Sequence, residues 1–405
     1  MFKNLITIFV FIQFMSLYSD WNQWRGSVDG DGVIEKQNIV QKWNDKENII
    51  WRSTVPGKGH SSPVIRSGKI FLTTSDLKKG TQSLLCYEQE TGSKLWESIA
   101  FKGEFMKVKH PQSDHAAATP VVAEDTIVCS FGIDKANWLI AFDFDGKIKW
   151  KKKISDFKSV FGIGSSPLIY EGKVYVLQDN EPQNFIACYD LIDGKEVWRV
   201  NRKLIPKISY STPRIFKIKG RDLLIVNSFY YLAAYDPKNG KEVWNTKGEV
   251  QTTVGTPVLV GDKLFCTGGY PEKITLAYQV DDKKATLLWK NKFNSYISSL
   301  IAVKNEIYVG NSKGFLACID QNSGKINWKT NLKGKDIIAS PYYSDNKIYV
   351  STLKGITKVV DPNPSKYVEL ESNTLEGDIF ASAAIVDNKI YQRTHGYLYC
   401  IGQKK

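Results

Sequence analysis

The length, composition and charge of the chain exclude several classes of protein. Its 405 residues, 42% hydrophobic and 12% aromatic, are enough for a sizeable core and do not have the composition of a disordered chain. The formal net charge of +13 favours anionic partners in general, but the lysines are spread over turns and strand ends instead of forming one cluster. We therefore expect no nucleic-acid partner.

The first 19 residues have the layout of a secretory signal peptide. Lys3 precedes an apolar run from Leu5 to Phe14, and a short polar stretch ends at Ser19. The run is too short for a spanning helix, no other apolar stretch approaches that length, and no cysteine follows it to carry a lipid anchor. We expect cleavage and a periplasmic or secreted protein with no transmembrane span in the mature chain. An uncleaved membrane anchor is the alternative.

One pattern recurs along nearly the whole remaining chain. Each copy begins with a small residue, then Ser or Thr and usually Pro, continues with short strands separated by Gly, Asn or Asp turns, and ends on a tryptophan. Two clear copies run from Ser165 to Trp198 and from Ser211 to Trp244. The tryptophans recur every 39 to 54 residues, with Tyr367 in the eighth place: Trp51, Trp96, Trp150, Trp198, Trp244, Trp289 and Trp328. Such a period with four strands per unit is typical of a propeller blade.

The two ends of the chain complete one blade between them. Trp51 has no strands before it, whereas the last copy, Phe380 to Gly402, has three strands and no tryptophan. The sequence thus predicts an all-β fold, an eight-bladed β-propeller of four-stranded antiparallel blades, its ring closed by an N-terminal strand that completes the last blade. We expect a signal peptide (1–19), an N-terminal extension (20–48) and the propeller (49–405), in a monomeric protein.

Repeat-equivalent positions are expected to be structural. The tryptophans should be wedged between blades, because aromatic residues at equivalent sites of a repeat usually carry core area. The cysteines also occupy two sets of equivalent positions, which different blades hold too far apart for disulfides. We expect all six to be small buried apolar side chains: Cys86, Cys188, Cys318 and Cys400 at one site, Cys129 and Cys266 at the other.

The candidate binding residues lie in loops just before the blade starts, which converge at the axis of a propeller. His110, Asp114 and His115 share one loop, and His60 lies at the neighbouring blade start. These side chains suit a metal or an anionic ligand, although no recognised ligand spacing links them. Hydrogen-bonded loop residues are the simpler interpretation, so we expect no metal.

A second group of polar residues surrounds the third and fourth blade starts. Arg202 and Tyr210 precede the fourth start, and Asp179 follows a second strand. They could line a funnel that binds a carboxylate, phosphate or sugar, or they could cap turns. Asp29 and Asp31 suggest a calcium loop but lack the remaining ligands at the required spacing, so we expect a turn there. The ligand-binding candidates at an axial funnel are therefore His60, Asp114, His115, Asp179, Arg202 and Tyr210.

The repeat resembles that of a known family. The unit from Ile186 to Trp198 is similar to the tryptophan-docking repeat of propellers named after pyrroloquinoline quinone (PQQ), shared by quinoprotein dehydrogenases and by the propeller subunit of the outer-membrane β-barrel assembly machinery. The head, Trp21 to Gly26, together with Gly57 to Pro63, resembles exported PQQ-binding-like proteins. The resemblance covers roughly residues 21–402, and it specifies the fold far better than the function.

The resemblance also implies what a quinoprotein dehydrogenase should contain: adjacent cysteines, a catalytic Asp, and calcium ligands near the axis. The sequence has no Cys-Cys pair, no Cys-x-x-Cys-His haem site and no long insertions. We therefore expect no catalytic residue and no cofactor, PQQ with calcium being possible but unsupported. The first hypothesis is an exported, non-catalytic scaffold binding protein, peptide or glycan in the cell envelope. The alternatives are a PQQ-dependent sugar or alcohol oxidoreductase and a component of outer-membrane protein assembly.

Overall fold

The structure is a ring of eight β-sheets, which confirms the predicted propeller. This computed structural model describes residues 20–34, 37–105, 108, 110, 112–159, 161–202, 208–247, 252–270 and 272–404. The predicted signal peptide, 1–19, lies outside the described residues. Among the described residues, no helix is long and apolar enough to cross a membrane.

Each blade is a meander of four antiparallel strands, with the first strand innermost. Two strands precede the blades: β1 (Val33–Ile34) and β2 (Ile49–Thr54). Blades 1 to 4 contain β3 (Val64–Arg66), β4 (Lys69–Asp76), β5 (Thr81–Glu88), β6 (Lys94–Lys102); β7 (Val121–Ala123), β8 (Thr126–Ile133), β9 (Ala136–Phe142), β10 (Ile148–Asp156); β11 (Leu168–Tyr170), β12 (Lys173–Asn180), β13 (Gln183–Asp190), β14 (Glu196–Asn201); and β15 (Arg214–Ile218), β16 (Arg221–Ser228), β17 (Tyr231–Tyr235), β18 (Glu242–Lys247).

The remaining four blades repeat this arrangement. They contain β19 (Val258–Val260), β20 (Lys263–Gly268), β21 (Ile274–Val280), β22 (Ala285–Asn291); β23 (Ile301–Val303), β24 (Glu306–Gly310), β25 (Phe315–Asp320), β26 (Ile326–Asn331); β27 (Tyr342–Ser344), β28 (Lys347–Ser351), β29 (Ile356–Val360), β30 (Glu369–Thr374); and β31 (Ala384–Val386), β32 (Lys389–Thr394), β33 (Tyr397–Ile401), with β2 as the fourth strand. The short β1 adds a fifth, parallel strand to the inner edge of blade 7.

Burial follows position within the blade. All eight residues of the second strand β8 are buried, because both of its faces pack against neighbouring blades. The outer strand β26 alternates between half-buried and exposed residues, the pattern of a strand with one face on the core and one in water. The core is therefore a series of layers between adjacent blades.

The ring closes through the two ends of the chain. Strand β2 pairs antiparallel with β33, with Trp51 opposite Cys400. Without β2 the last sheet would present the unpaired edge of a buried strand, so closure joins the first and last parts of the sequence in one cooperative unit.

A second, inner ring of hydrogen bonds explains why the blade starts carry Ser or Thr. The backbone N–H of Ser62 in blade 1 donates to Thr119 Oγ1 in blade 2 at 3.0 Å. The same donation recurs at five further junctions: Thr119 to Ser166, Ser166 to Thr212, Thr256 to Ser299, Ser299 to Ser340 and Ser340 to Ser382. Each hydroxyl satisfies a buried backbone donor of the preceding blade, a group that would be costly to leave unpaired.

The repeat tryptophans join the blades at the outer rim. The indole Nε1 of Trp198 donates to Pro237 O of the next blade at 3.1 Å. Gly240, at φ +73°, lies against this ring so closely that a Cβ would come within 2.5 Å of it. Equivalent indole bonds run from Trp51 to Gln89 O, Trp96 to Phe144 O, Trp150 to Leu191 O, Trp289 to Gln321 O and Trp328 to Asn363 O.

Two junctions depart from this pattern. Trp244 is buried, but its Nε1 has no hydrogen-bond partner among the described residues, and the facing turn, Asp281 to Lys284, contains no glycine. The prediction that Tyr367 takes the eighth tryptophan place is wrong: the register of β29 and β30 puts Glu371 there, opposite Val359. Tyr367 instead lies before β30 and packs edge-on to Trp328, with ring centroids 5.6 Å apart. The third and fourth strands of blade 8 come from opposite chain ends, so no hairpin turn connects them to receive a tryptophan.

All six cysteines are buried free thiols. Four of them lie directly opposite a rim tryptophan in the sheet, as Cys188 does to Trp198. Burial raises the pKa of Cys86, Cys188 and Cys400 to about 12, so these thiols are un-ionised at neutral pH. They fill space as small apolar groups.

Candidate functional site: an aromatic axial chamber

A cavity of about 570 Å³ lies on the propeller axis, on the side where the blade-start loops converge. We call it the axial chamber. Several inner-ring hydroxyls reach it, including Ser62, Thr119, Ser166 and Thr212. Its character comes from its aromatic lining: Trp24, Phe161, Tyr210, Tyr270, Tyr296 and Phe380. Because the residues around the shared Ser or Thr vary between blade starts, the wall combines different side chains, such as His60, Tyr210 and Phe380.

The N-terminal extension forms the floor of the axial chamber. It crosses the ring from blade to blade: Trp21 exchanges two backbone hydrogen bonds with Ile65, Asn22 O accepts from Val122 N, and Gln23 Oε1 accepts from Ile169 N. This path brings Trp24 to the axis, where it lines the axial chamber.

Two buried arginines hold the floor from below. Arg214 donates to Trp24 O and Ser27 O, and Arg25 donates to Leu300 O in blade 6 and Asp31 O. Their guanidinium carbons lie 5.1 and 5.9 Å from the Trp24 ring centroid, within cation–π range. Burial lowers the pKa of Arg214 to about 9 and that of Arg25 to about 10, so both stay charged at neutral pH.

The Asp29 to Gly32 turn wraps these arginines. Gly30 and Gly32 have positive φ, and a Cβ at either would strike Arg214 or Arg25 within 2.3 Å. Asp29 and Asp31 offset the arginine charges, because both carboxylates act to raise the pKa of Arg25 and of Arg214. The sequence predicted a turn here, and its two glycines are needed because the arginine side chains leave no room for a Cβ.

His60 and Asp114 lie together in the wall of the axial chamber. The His60 imidazole stacks on Phe380 with centroids 4.0 Å apart and planes 4° apart. Burial lowers the pKa of His60 to about 4, so the ring is neutral at pH 7 although Asp114 favours its protonation. Asp114 is 6% exposed, and its Oδ1 accepts from Ala116 N at 2.7 Å.

Tyr210 also lines the axial chamber, on the other side. Its hydroxyl is 2.8 Å from Ser159 Oγ, and its ring packs edge-on to Phe161 at 6.2 Å. Gln112, which lines the axial chamber, donates a hydrogen bond to Asp336 from the connection between blades 6 and 7. His110, in the same connection as Gln112, lies 5.8 Å from the Phe161 ring and lines the axial chamber.

Three of the predicted funnel residues lie elsewhere. Asp179 and Arg202 form a buried ion pair, with Arg202 Nη1 2.8 and 2.7 Å from the two carboxylate oxygens and side-chain exposures of 0% and 5%. Asp179 lies near the end of β12 and Arg202 directly follows β14, so the two meet at the same end of the blade 3 sheet, where they neutralise each other. His115 packs on Phe105 at 4.8 Å. None of the three lines the axial chamber.

Sequence reasoning missed most of the aromatic wall. Trp24, Phe161, Tyr296 and Phe380 lie outside the recurring strand pattern, in loops that differ from blade to blade. The available signal was the aromatic residue two positions before the blade-start Ser in Phe380-Ala381-Ser382, together with the Trp21 to Gly26 head.

Comparison with known proteins assigns the family. The model of the PQQ_2 family, described as "Outer membrane protein assembly factor BamB", matches residues 80–330 and 286–366. The chain belongs to this family. An assembly factor BamB from Nitrosomonas eutropha is 22% identical over 166 residues, which are 39% of this chain and 36% of that protein. The chain thus matches about a third of the length of this curated relative.

Solved structures of the BamB family and of quinoprotein enzymes share the fold. BamB from Moraxella catarrhalis superposes with a TM-score of 0.62 at 14% identity, covering 88% of this chain and 99% of that one. Quinohemoprotein alcohol dehydrogenase ADHIIG from Pseudomonas putida HK5 gives 0.68 at 11% identity, covering 95% and 81%. At these identities the likeness concerns the fold.

The residues of the axial chamber do not fit the quinone after which the repeat is named. PQQ carries several carboxylates, and calcium, which the family resemblance implies beside it, takes about six to eight oxygen ligands. The described lining residues include one carboxylate, Asp114, and neither lysine nor arginine. Within the described part of the chain, no three His, Cys, Asp or Glu side chains are placed to share a metal.

Proposed function

We propose that this protein is a non-catalytic scaffold on the periplasmic side of the cell envelope, which binds another protein during the assembly of outer-membrane proteins. The match to the family model supports a role in the assembly of outer-membrane proteins. The geometry supports the mode of binding, because every blade presents its fourth strand at the rim with one edge unpaired within its sheet.

The observation that carries the proposal is where exposed apolar side chains lie. Of the ten large apolar residues that stand exposed in the described chain, seven are on fourth strands: Leu95, Ile99, Ile148, Val197, Leu287, Leu288 and Leu370. An unpaired edge with apolar side chains suits an added strand, since the backbone supplies the hydrogen bonds and the side chains supply the contact.

Strand β6 of blade 1 offers the best edge for a test. It is nine residues long, and Leu95 and Ile99 on it are 47% and 53% exposed. We propose that an extended segment of a partner protein pairs with this edge. Replacing both residues by lysine keeps the blade core intact and removes the apolar contact.

The test is made in cells that produce the protein. Removing the gene should lower the amount of outer-membrane β-barrel proteins severalfold, and the Leu95→Lys, Ile99→Lys variant should fail to restore them. The matched control is Leu77→Lys with Ile192→Lys, which changes exposed apolar residues that lie in turns, and it should restore normal amounts.

Two results would overturn the proposal. One is an unchanged set of outer-membrane proteins in cells without the gene. The other is oxidation of an alcohol or sugar by the purified protein after addition of PQQ and calcium, which would make it a quinone-dependent oxidoreductase.

A further inference from the structure

The axial chamber combines aromatic rings with one buried acid, although the protein as a whole is strongly basic. Trp24 forms its floor, Phe161 and Tyr210 line one side, and Phe380 lines another. The faces of such rings carry partial negative charge and attract cations that are removed from water. A volume of about 570 Å³ lies within the usual range for small-molecule sites.

Asp114 is the acid, and its environment leaves capacity for a cationic partner. Only 6% of its surface is exposed. Among the described residues, only the backbone N–H of Ala116 donates a hydrogen bond to its carboxylate, at Oδ1. The buried guanidinium of Arg393 interacts electrostatically with Asp114, but it donates its hydrogen bonds to Ser61 and to Thr73 O and does not line the axial chamber. Among the described residues no cation forms a salt bridge with this carboxylate, so a bound cation in contact with it would stabilise its buried charge.

His60, a titratable wall residue near Asp114, does not compete with such a ligand. The imidazole of His60 is neutral at pH 7, because burial lowers its pKa to about 4. Its ring is stacked on Phe380, so together they present a flat apolar wall beside the carboxylate.

We infer that the axial chamber binds a small organic cation, a quaternary or protonated amine with an apolar body. The ammonium group lies at Asp114, and the apolar body packs among Trp24, Phe161, Tyr210 and Phe380. This ligand has the opposite charge to the quinone of the structural relatives. The inference does not depend on the proposed scaffold function, which uses the rim.

Calorimetric titration of the full exported chain tests the charge preference. The probes share one ring and differ in charge: benzyltrimethylammonium, benzyl alcohol and phenylacetate. We expect saturable binding of the cation, at least about tenfold tighter than that of either other probe, as one charge-assisted contact predicts. Phenylacetate binding as tightly as the cation, or no saturation by the cation at millimolar concentration, would overturn the inference.

Two variants locate the site. Asp114→Asn should weaken cation binding about tenfold, whereas Asp145→Asn, which removes the same charge from an exposed turn, should leave it unchanged. Phe380→Leu keeps the carboxylate but loses a ring, and should weaken binding severalfold. Thermal melting checks that each variant is folded. Unchanged affinity in folded Asp114→Asn would contradict the inference, and the rim variant Leu95→Lys, Ile99→Lys should bind the cation normally even if the scaffold proposal fails.

Discussion

The rim and the axis of this propeller use the repeat in opposite ways. At the rim, equivalent positions carry the same residue and make the same bond: Trp96, Trp150 and Trp198 each donate to a carbonyl of the next blade. At the axis, the loops that lead into equivalent strands carry different residues, such as His60, Tyr210 and Phe380, around one cavity. Regularity at the rim stabilises the ring, and irregularity at the axis makes a chemically distinct site possible.

The largest expected effect comes from opening the ring. Deleting Ile49–Thr54 removes β2, exposes the edge of β33 and leaves Tyr397–Ile401 without its partner strand. We expect the loss of most of the free energy of unfolding, which is about 5–15 kcal/mol for a typical domain. Urea unfolding followed by circular dichroism measures it.

Removing the last two residues of the chain is the control for this deletion, because Lys404 lies beyond β33 and is exposed. A ring without β2 that still unfolds in one transition near the wild-type midpoint would show that closure contributes little.

A smaller effect is expected at the axis, where acid should destabilise the protein through His60. Its pKa is about 4 in the folded state and near 6.5 when unfolded, so the unfolded chain binds more protons between these values. The stabilisation is complete above pH 6.5 and is lost as the pH falls towards 4. The expected loss from this residue is about 2–3 kcal/mol.

Comparing unfolding at pH 7 and pH 4 in the wild type and in His60→Gln isolates this contribution. Glutamine at position 60 does not take up a proton in this pH range. Between pH 7 and pH 4 the free energy of unfolding of the variant should therefore fall by about 2–3 kcal/mol less than that of the wild type. Equal losses in both proteins would mean that His60 is not buried against Phe380 in solution.

The smallest effect sharpens the comparison within the rim itself. Trp289→Phe removes the 2.9 Å bond to Gln321 O, whereas Trp244→Phe removes an indole N–H that has no partner among the described residues. Both side chains are buried, at 9% and 6% exposure, so the loss of packing is similar. We expect Trp289→Phe to cost about 1 kcal/mol more than Trp244→Phe in the free energy of unfolding.

Thermal and urea unfolding of the two variants side by side give this difference. A larger loss for Trp244→Phe would mean that the unbonded indole contributes through packing that Phe cannot replace.

Residues that repeat were predictable, and residues that pair across the fold were not. The Ser or Thr of each blade start and the rim tryptophans recur at a regular spacing, so their equivalence was visible before any coordinates. Asp179 and Arg202 were predicted at the axis because they lie near blade starts. Their actual partners are each other, since opposite charges buried at one end of a sheet pair by proximity.

The sequence by itself determined the eight-bladed ring and its closure, because hydrophobic alternation and turn residues act locally and repeat eight times. Only the tertiary structure decided the axial chamber. Trp24, Asp114, Tyr210 and Phe380 are separated by up to 356 residues, 380 − 24, and no local rule relates them. They meet because a closed ring brings loops from all parts of the chain to one axis, and because the N-terminal extension happens to cross that axis as its floor.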